Sequence, residues 1–450
     1  MPSAFVFDPN RCTGCQACEL ACSIENDLGT DRSWREVVTF NDATAAGVPR
    51  FHLSLACNHC AEPACMHSCP ALAYERDGSS GAILLDRNRC IGCRYCSWAC
   101  PYGAPRYEEE QGVMGKCTFC SHRLDEGLKP ACATLCPTGA LDFQDLPVSE
   151  LAAAVEGFPQ TDLGPSIRIE PVHRSLHQGS SMTGRDGSPA VALLPPPSPG
   201  ITLGSEWSLA AFTFLVALLF AAFAAAAAGA LFLPPFLFAA TAAGAAGLSL
   251  SHLGRPTRAW RAGLNVRRSW LSREVVGLGS FAAAGTVVLA IGPSTPSALA
   301  VAVVAVGLLT LVSTDQVYRP VYRGPHPLLD GGGTLLTGLY LTGLLLANPW
   351  LAGLVGCIKL GSEIWNAPWR RARGTGRWPV LLACSRLVLG LVLPAVIWIG
   401  SGAPLPAWTI FAAIVGEGLG RTGFYTRLRV QSPAQQARAD LAGRLASSAA

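Results

Sequence analysis

The apolar positions of this chain are distributed unevenly, and the change comes near the middle. Residues 1–150 read as a cysteine-rich region of short strands and turns, and 151–177 as an ordered extension of it. From Ser205 onward long apolar segments recur, at roughly 207–232, 236–251, 275–292, 298–314, 334–347, 350–366, 379–400 and 406–420. Each is near the length a helix needs to cross the hydrocarbon core, although several are at the short end. One such run alone could be a buried core helix, but eight in series argue for membrane spans.

The eight segments fall into four close pairs, joined within each pair by short uncharged turns (LFLPPF, IGPSTPS, ANPW and GSGAPLP). Between pairs the connections are basic. One carries Arg255, Arg258, Arg261, Arg267, Arg268 and Arg273, the next Arg319 and Arg323, and the third Arg370, Arg371, Arg373 and Arg377; Arg421, Arg427 and Arg429 follow the last segment. With eight spans all these residues lie on the side of the N-terminal region, and the positive-inside rule makes that side the cytoplasm. Some of the arginines could equally serve to dock the N-terminal region. Residues 178–204, rich in Gly, Ser and Pro, read as a linker between two proteins fused end to end.

Composition adds the chemistry. The net charge of +4 gives no argument for a nucleic-acid partner, whereas 16 of the 18 cysteines lie in the first part. Their close clustering does not resemble a secreted disulfide framework. Residues 1–10 show no basic start, long apolar stretch or twin arginine, so the expectation is a chain kept in a reducing compartment. Four quartets stand out: Cys12, Cys15, Cys18, Cys22; Cys57, Cys60, Cys65, Cys69; Cys90, Cys93, Cys96, Cys100; and Cys117, Cys120, Cys132, Cys136. The last three end in Cys-Pro and the first in Cys22-Ser23. The CxxCxxCxxxC run is a ferredoxin spacing, in which three close sulfurs wrap one cubane and the fourth reaches a neighbouring one. Zinc ribbons use paired CxxC knuckles instead. Four quartets predict four [4Fe–4S] clusters. Spacing alone does not say which quartets pair, but the two middle ones lie close enough to form a unit inserted between the outer two.

At these residues, and through GFPQTDLGPSIRI, residues 1 to about 175 resemble the iron–sulfur subunit of the dimethyl sulfoxide reductase group of molybdopterin complexes. The resemblance implies that the outer quartets pair, as do the inner ones. One cluster would then use Cys12, Cys15, Cys18 and Cys136, and its neighbour Cys22, Cys117, Cys120 and Cys132. A third would use Cys57, Cys60, Cys65 and Cys100, and the fourth Cys69, Cys90, Cys93 and Cys96. The second part, on HLGRPTRAWRAGLNVRRSWLSRE (252–274) and EGLGRTGFYTRLRV (417–430), resembles the eight-helix quinol-handling anchor subunit of the same complexes. The implied fold is an α+β double ferredoxin-like domain (1–177), the linker (178–204), an all-α eight-helix transmembrane bundle (205–430) and a C-terminal tail (431–450).

Ionisable residues at membrane depth are candidates for function. His252, able to exchange protons near neutral pH, and Glu274 are the expected quinone-handling pair, a role that also follows the family pattern. The bland reading of His252 is a helix cap or a headgroup contact. Arg255, Lys359, Glu363, Arg386, Glu417 and Arg421 are candidate surroundings of the quinone. Lys359–Glu363 and Glu417–Arg421 are spaced as i,i+4 ion pairs and read first as structural. Cys357 and Cys384 read as packing residues. The spans hold no interior histidine, so no haem is expected.

The implied function is that of an electron-transfer and membrane-anchor subunit in the bacterial inner membrane, with its clusters facing the cytoplasm. It would relay electrons between menaquinone or ubiquinone and a separate molybdopterin catalytic subunit. Sulfoxide or sulfur-compound reduction and sulfite oxidation are both open for that partner. The alternative, a redox-driven ion-translocating module, calls for ionisable residues reaching the far side, and the distal halves of the spans have none.

Overall fold

The computed structural model describes residues 3–29, 32–42, 48–173, 201, 203–322, 326–371, 383–401, 404–425 and 428–448, without side chains at 366–371 and 446–448. Almost all of the expected linker lies outside the described residues, as do Arg323, Arg373, Arg377, Arg427 and the side chains of Arg370 and Arg371. The chain divides into two compact units, one of residues 1–198 with 430–450 and one of residues 199–429.

The first unit is built on a small sheet. Strand Ser3–Phe7 pairs antiparallel with Leu141–Asp145 and parallel with Ile167–Ile169. Three antiparallel hairpins follow, 36–40 with 51–55, 74–76 with 83–85, and 106–108 with 113–115. Alternation sends Phe5, Phe7, Phe40, Leu53 and Phe143 inward, where the rings of Phe5, Phe119 and Phe143 meet edge to face. The segment expected as a C-terminal tail is a helix, Pro433–Ser448, and belongs to this unit. Ala437, Leu441 and Leu445, one helical stripe, are buried in the same core. Asp440 accepts a hydrogen bond from Gly157 N at 2.8 Å, and Arg444 pairs with Glu156.

Among the described residues the second unit is mainly helical. All eight apolar segments fall on helices: Trp207–Ala227, Pro235–Ser251, Trp270–Ile291, Ser297–Val317, Thr334–Leu345, Pro349–Arg371, Ala383–Ser401 and Ala407–Tyr425. Among the described residues four are long and apolar enough to cross a membrane, or five if one bent pair counts as a single span. That pair is Pro235–Ser251 and the 3-10 turn Pro256–Gly263, which meet at 109°. Helix Thr334–Leu345 has only 12 residues because a buried Asp-Gly-Gly-Gly loop, Asp330–Gly333, precedes it. Helix Ala383–Ser401 carries a π turn at Val388–Val392, where Gly390 crosses Gly416 with no room for a Cβ at the latter.

Candidate metal centres and the buried network of the helical unit

Two of the cysteine loops use the same backbone solution. In Cys12–Gln16 and Cys90–Arg94 the glycine before the second cysteine and the residue after it are left-handed: Gly14 and Gln16 at φ 71° and 61°, Gly92 and Arg94 at 70° and 60°. Turns of this kind form nests of backbone N–H groups that favour negative charge. Gly14 is required twice over, because a Cβ there would also lie 2.8 Å from the His52 ring. Backbone N–H groups reach the sulfurs themselves: Ala73 to Cys69 Sγ at 3.4 Å, Gly92 and Met114 to Cys90 Sγ at 3.4 and 3.5 Å, and Leu141 to Cys136 Sγ at 3.4 Å.

The structure brings the sixteen thiols into four electrostatic neighbourhoods. Cys12 has Cys18, Cys136 and Cys15 around it. Cys117 and Cys120 share Cys22 and Cys132. Cys65 has Cys57, Cys100 and Cys60. Cys93 has Cys69 and Cys90, and Cys96 has Cys93 and Cys69. Three electrostatic neighbour pairs link the groups in a row: Cys18 with Cys132, Cys117 with Cys57, and Cys96 with Cys65. One end of that row is open, since Cys15 is exposed and Cys12 and Cys136 are half-buried, whereas the other thiols of the row are buried apart from a half-buried Cys93.

Among the described residues no three His, Cys, Asp or Glu side chains converge tightly enough to hold a single metal ion. Burial pushes the Cys60 thiol up to about 12, with Cys57 and Cys100 adding to the effect, and it pushes Cys100 and Cys120 up to about 11. Such thiols keep their protons unless bonding to iron stabilises the thiolate. Buried donors also lack a protein partner. Arg35 is 2% exposed, and its Nε and Nη2 have no hydrogen-bond partner among the described residues. His59 Nδ1 accepts from Ile83 N at 2.9 Å, which leaves an N–H on a buried Nε2 with no acceptor. Buried N–H groups are seldom left unmatched, so these suit an acceptor-rich guest such as a sulfide-bearing cluster.

In the helical unit the polar residues are drawn together by long-range contacts. Lys359 Nζ lies 2.7 Å from Glu417 Oε2, which also accepts from Thr337 Oγ1 at 2.8 Å. Glu363 pairs with Arg386. Arg421 Nε donates to Thr213 Oγ1 at 2.8 Å, and its Nη1 lies 3.7 Å from Asp315. The i,i+4 pairings read from the sequence are thus replaced by pairings between helices. Lysine and glutamate four apart turn to different neighbours, because each finds a buried partner on another helix. Glu274 is buried and has Thr314, Arg421 and Asp315 as its principal neighbours; His252 is not among them. His252 is half-buried at the C-cap of helix Pro235–Ser251, and Arg255 is exposed ahead of the 3-10 turn.

Two acids escaped the sequence reading. Asp315 accepts from Thr334 N and Leu335 N at 2.8 and 2.9 Å and so caps the short helix. Asp330 accepts from Gly332 N at 2.8 Å and from Tyr322 Oη at 2.5 Å. The signal for Asp315 was present, an acid directly after the apolar run 298–314, but the span boundary was drawn one residue before it. Cys357 and Cys384 are exposed on the helical unit rather than packed within it.

Comparison with known proteins agrees with both units. Residues 48–146 match the 4Fe-4S dicluster domain family, and residues 206–347 match the DMSO reductase anchor subunit (DmsC) family. The chain is 41% identical over 192 residues to a chain of the anaerobic dimethyl sulfoxide reductase of Escherichia coli, an alignment covering 39% of this chain and 92% of that protein. It is 39% identical over 183 residues to the corresponding protein of Haemophilus influenzae, covering 37% and 88%. It is 35% identical over 196 residues to a subunit of the sulfite dehydrogenase of Allochromatium vinosum, covering 38% and 82%. The chain belongs to the family of dimethyl sulfoxide reductase iron–sulfur subunits and carries a domain of the matching anchor-subunit family in the same polypeptide.

Proposed function

We propose that this chain is the electron-transfer and membrane-anchor subunit of a quinone-linked molybdopterin oxidoreductase, passing electrons between a membrane quinone and a separate catalytic subunit. The observation that carries the reading is the row of four cysteine groups, in which a thiol of each group has a cysteine of the next among its electrostatic neighbours. Four [4Fe–4S] clusters bound there would supply one-electron transfer. The sixteen cysteines would hold them, backbone N–H groups at Ala73, Gly92, Met114 and Leu141 would offset thiolate charge, and the aromatic core around Phe5 and Phe119 would exclude water.

The eight apolar helices are read as an eight-span anchor, and the basic connections favour a cytoplasmic cluster domain in the bacterial inner membrane. Within it His252 and Glu274 are assigned to the quinone. His252 would exchange the quinol proton, and Glu274 would pass it to the network of Asp315 and Arg421. Arg255, Lys359, Glu363, Arg386, Glu417 and Arg421 shape and balance that interior. The relatives are named for dimethyl sulfoxide reduction, sulfite oxidation and tetrathionate reduction, and the choice among such substrates lies with the catalytic partner.

The test is anaerobic addition of quinol to the purified complex, followed by EPR of the reduced clusters. The wild type is expected to show cluster reduction, and His252→Ala at least a tenfold slower reduction at unchanged iron content. Wild-type clusters that dithionite reduces and quinol does not would remove the quinone link.

A further inference from the structure

The guanidinium of Arg35 is among the most deeply buried groups of the first unit. It lies 4.3 Å over the Phe5 ring, and Nη1 donates to Ser54 O and Ser54 Oγ at 2.9 and 3.2 Å. Ser54 Oγ is itself 3.1 Å from Cys18 Sγ. The principal electrostatic neighbours of Arg35 are cysteines: Cys132, Cys18, Cys117 and Cys22. Cys18 belongs to the first cysteine group of the row, and the other three belong to the second. Nε and Nη2 have no acceptor among the described residues.

A buried, unpaired cation is costly, so one kept at this point needs anionic partners of its own. We propose that Arg35 is a positioning residue shared by two clusters, its Nη1 fixed by Ser54 and its free N–H groups serving the sulfur ligands of both. The single positive charge favours the reduced state at each, raising the two adjacent potentials together. This rests on the four-cluster reading, whose failure would appear separately as low iron.

The experiment is a potentiometric EPR titration of the full complex carrying Arg35→Gln or Arg35→Lys. Glutamine keeps hydrogen-bond donors but loses the charge. It is expected to shift the one-electron reduction equilibrium of two of the four clusters at least tenfold toward the oxidised state, about 59 mV, with the other two unmoved and the iron content unchanged. Lysine, which keeps the charge, is expected to leave most of the wild-type potentials in place. Wild-type midpoints for all four clusters in Arg35→Gln would overturn the proposal. So would loss of iron in both variants, which would make Arg35 a strut.

A separate observation concerns the helical unit. A cavity of about 730 Å³ lies between helices Thr334–Leu345, Pro349–Arg371 and Ala383–Ser401. Its walls are apolar and are kept open by Ala352, Gly353, Gly356 and Ala395. Tyr340 also lines it, at 4% exposed, and its hydroxyl makes no hydrogen bond among the described residues. Lys359 Nζ stands 5.9 Å from the centre of the Tyr340 ring. The volume is that of a ligand site with few polar groups, among them Tyr340 and Trp398. A phospholipid acyl chain would leave the hydroxyl unmatched, whereas a quinone carbonyl accepts from it.

We infer that this cavity is a second holding site for a prenylated quinone, with the ring carbonyl at Tyr340 and the tail along the apolar wall. The inference depends on the quinone-linked reading but not on the His252–Glu274 assignment. A photoreactive azidoquinone added to the complex is expected to label residues 349–360 or 387–399. Tyr340→Phe should reduce that labelling about threefold to tenfold, and Gly356→Leu should abolish it. Labelling confined to the region of His252 and Glu274 would overturn the inference, and so would a photoreactive phospholipid labelling the cavity where the azidoquinone does not. Quinol-driven cluster reduction, measured in the same samples, tests the quinone link independently.

Discussion

At the scale of single residues, this chain places charge where it is expensive and then compensates it locally. Lys359 and Glu417 are both fully buried, and each is the other's counter-ion at 2.7 Å. Removing one partner of such a pair leaves an uncompensated buried charge, which costs about 3–5 kcal/mol, whereas replacing both with apolar residues costs far less. Glu417→Gln should therefore lower the thermal midpoint of the purified protein strongly, and Lys359→Met with Glu417→Leu should recover most of the loss. A different balance holds in the hairpin 74–85 of the first unit. There Asp77 accepts from the hydroxyls of Ser79 and Ser80 and from Ser80 N at 2.6–2.7 Å, which holds its carboxyl at about 2. A free aspartate titrates near 3.9. Because the folded value is the lower one, the stabilisation is complete above about pH 4 and fades as pH falls toward 2. Hydrogen exchange of the hairpin amides is expected to be insensitive to this group from neutral pH down to about 4. Below that the hairpin should open in the wild type, while Asp77→Asn is weakened at every pH.

At the scale of elements, the sequence was most informative where a pattern repeats. The CxxC spacings mark the loops at Cys12–Gln16 and Cys90–Arg94, and apolar runs mark all eight helices of the second unit. Pairing between elements was less legible. Lys359 and Glu363 sit one turn apart on one helix, yet they bond to Glu417 and Arg386 on two others, because helical spacing says nothing about which helix packs opposite. The shortness of helix 334–345 was also hidden, since the glycine loop before it reads as a turn and only the fold shows it buried and capped by Asp315. Helix Pro433–Ser448 was misjudged for a related reason: with few large apolar residues it reads as a tail, and its stripe of Ala437, Leu441 and Leu445 acquires meaning only against the core it completes. Leu441 is 1% exposed, so Leu441→Ala is expected to cost about 2–5 kcal/mol and to lower the temperature at which the first unit releases iron. Arg444→Ala, which removes a part-exposed pair with Glu156, should cost under about 1 kcal/mol in the same melt.

At the scale of the whole molecule, two families usually met as separate subunits share one chain, and the last helix of that chain belongs to the first unit rather than to the second. Joining the cluster-bearing and anchoring parts covalently fixes their ratio at one to one. The central claim is that this one chain holds an unbroken relay of four clusters, one for each of the neighbourhoods around Cys12, Cys22, Cys57 and Cys69. Quantifying iron and acid-labile sulfide per chain, in protein purified without oxygen, tests it most directly. The relay predicts about 16 of each. A value near half of that, reproducible in fully loaded protein with all sixteen cysteines intact, would contradict it.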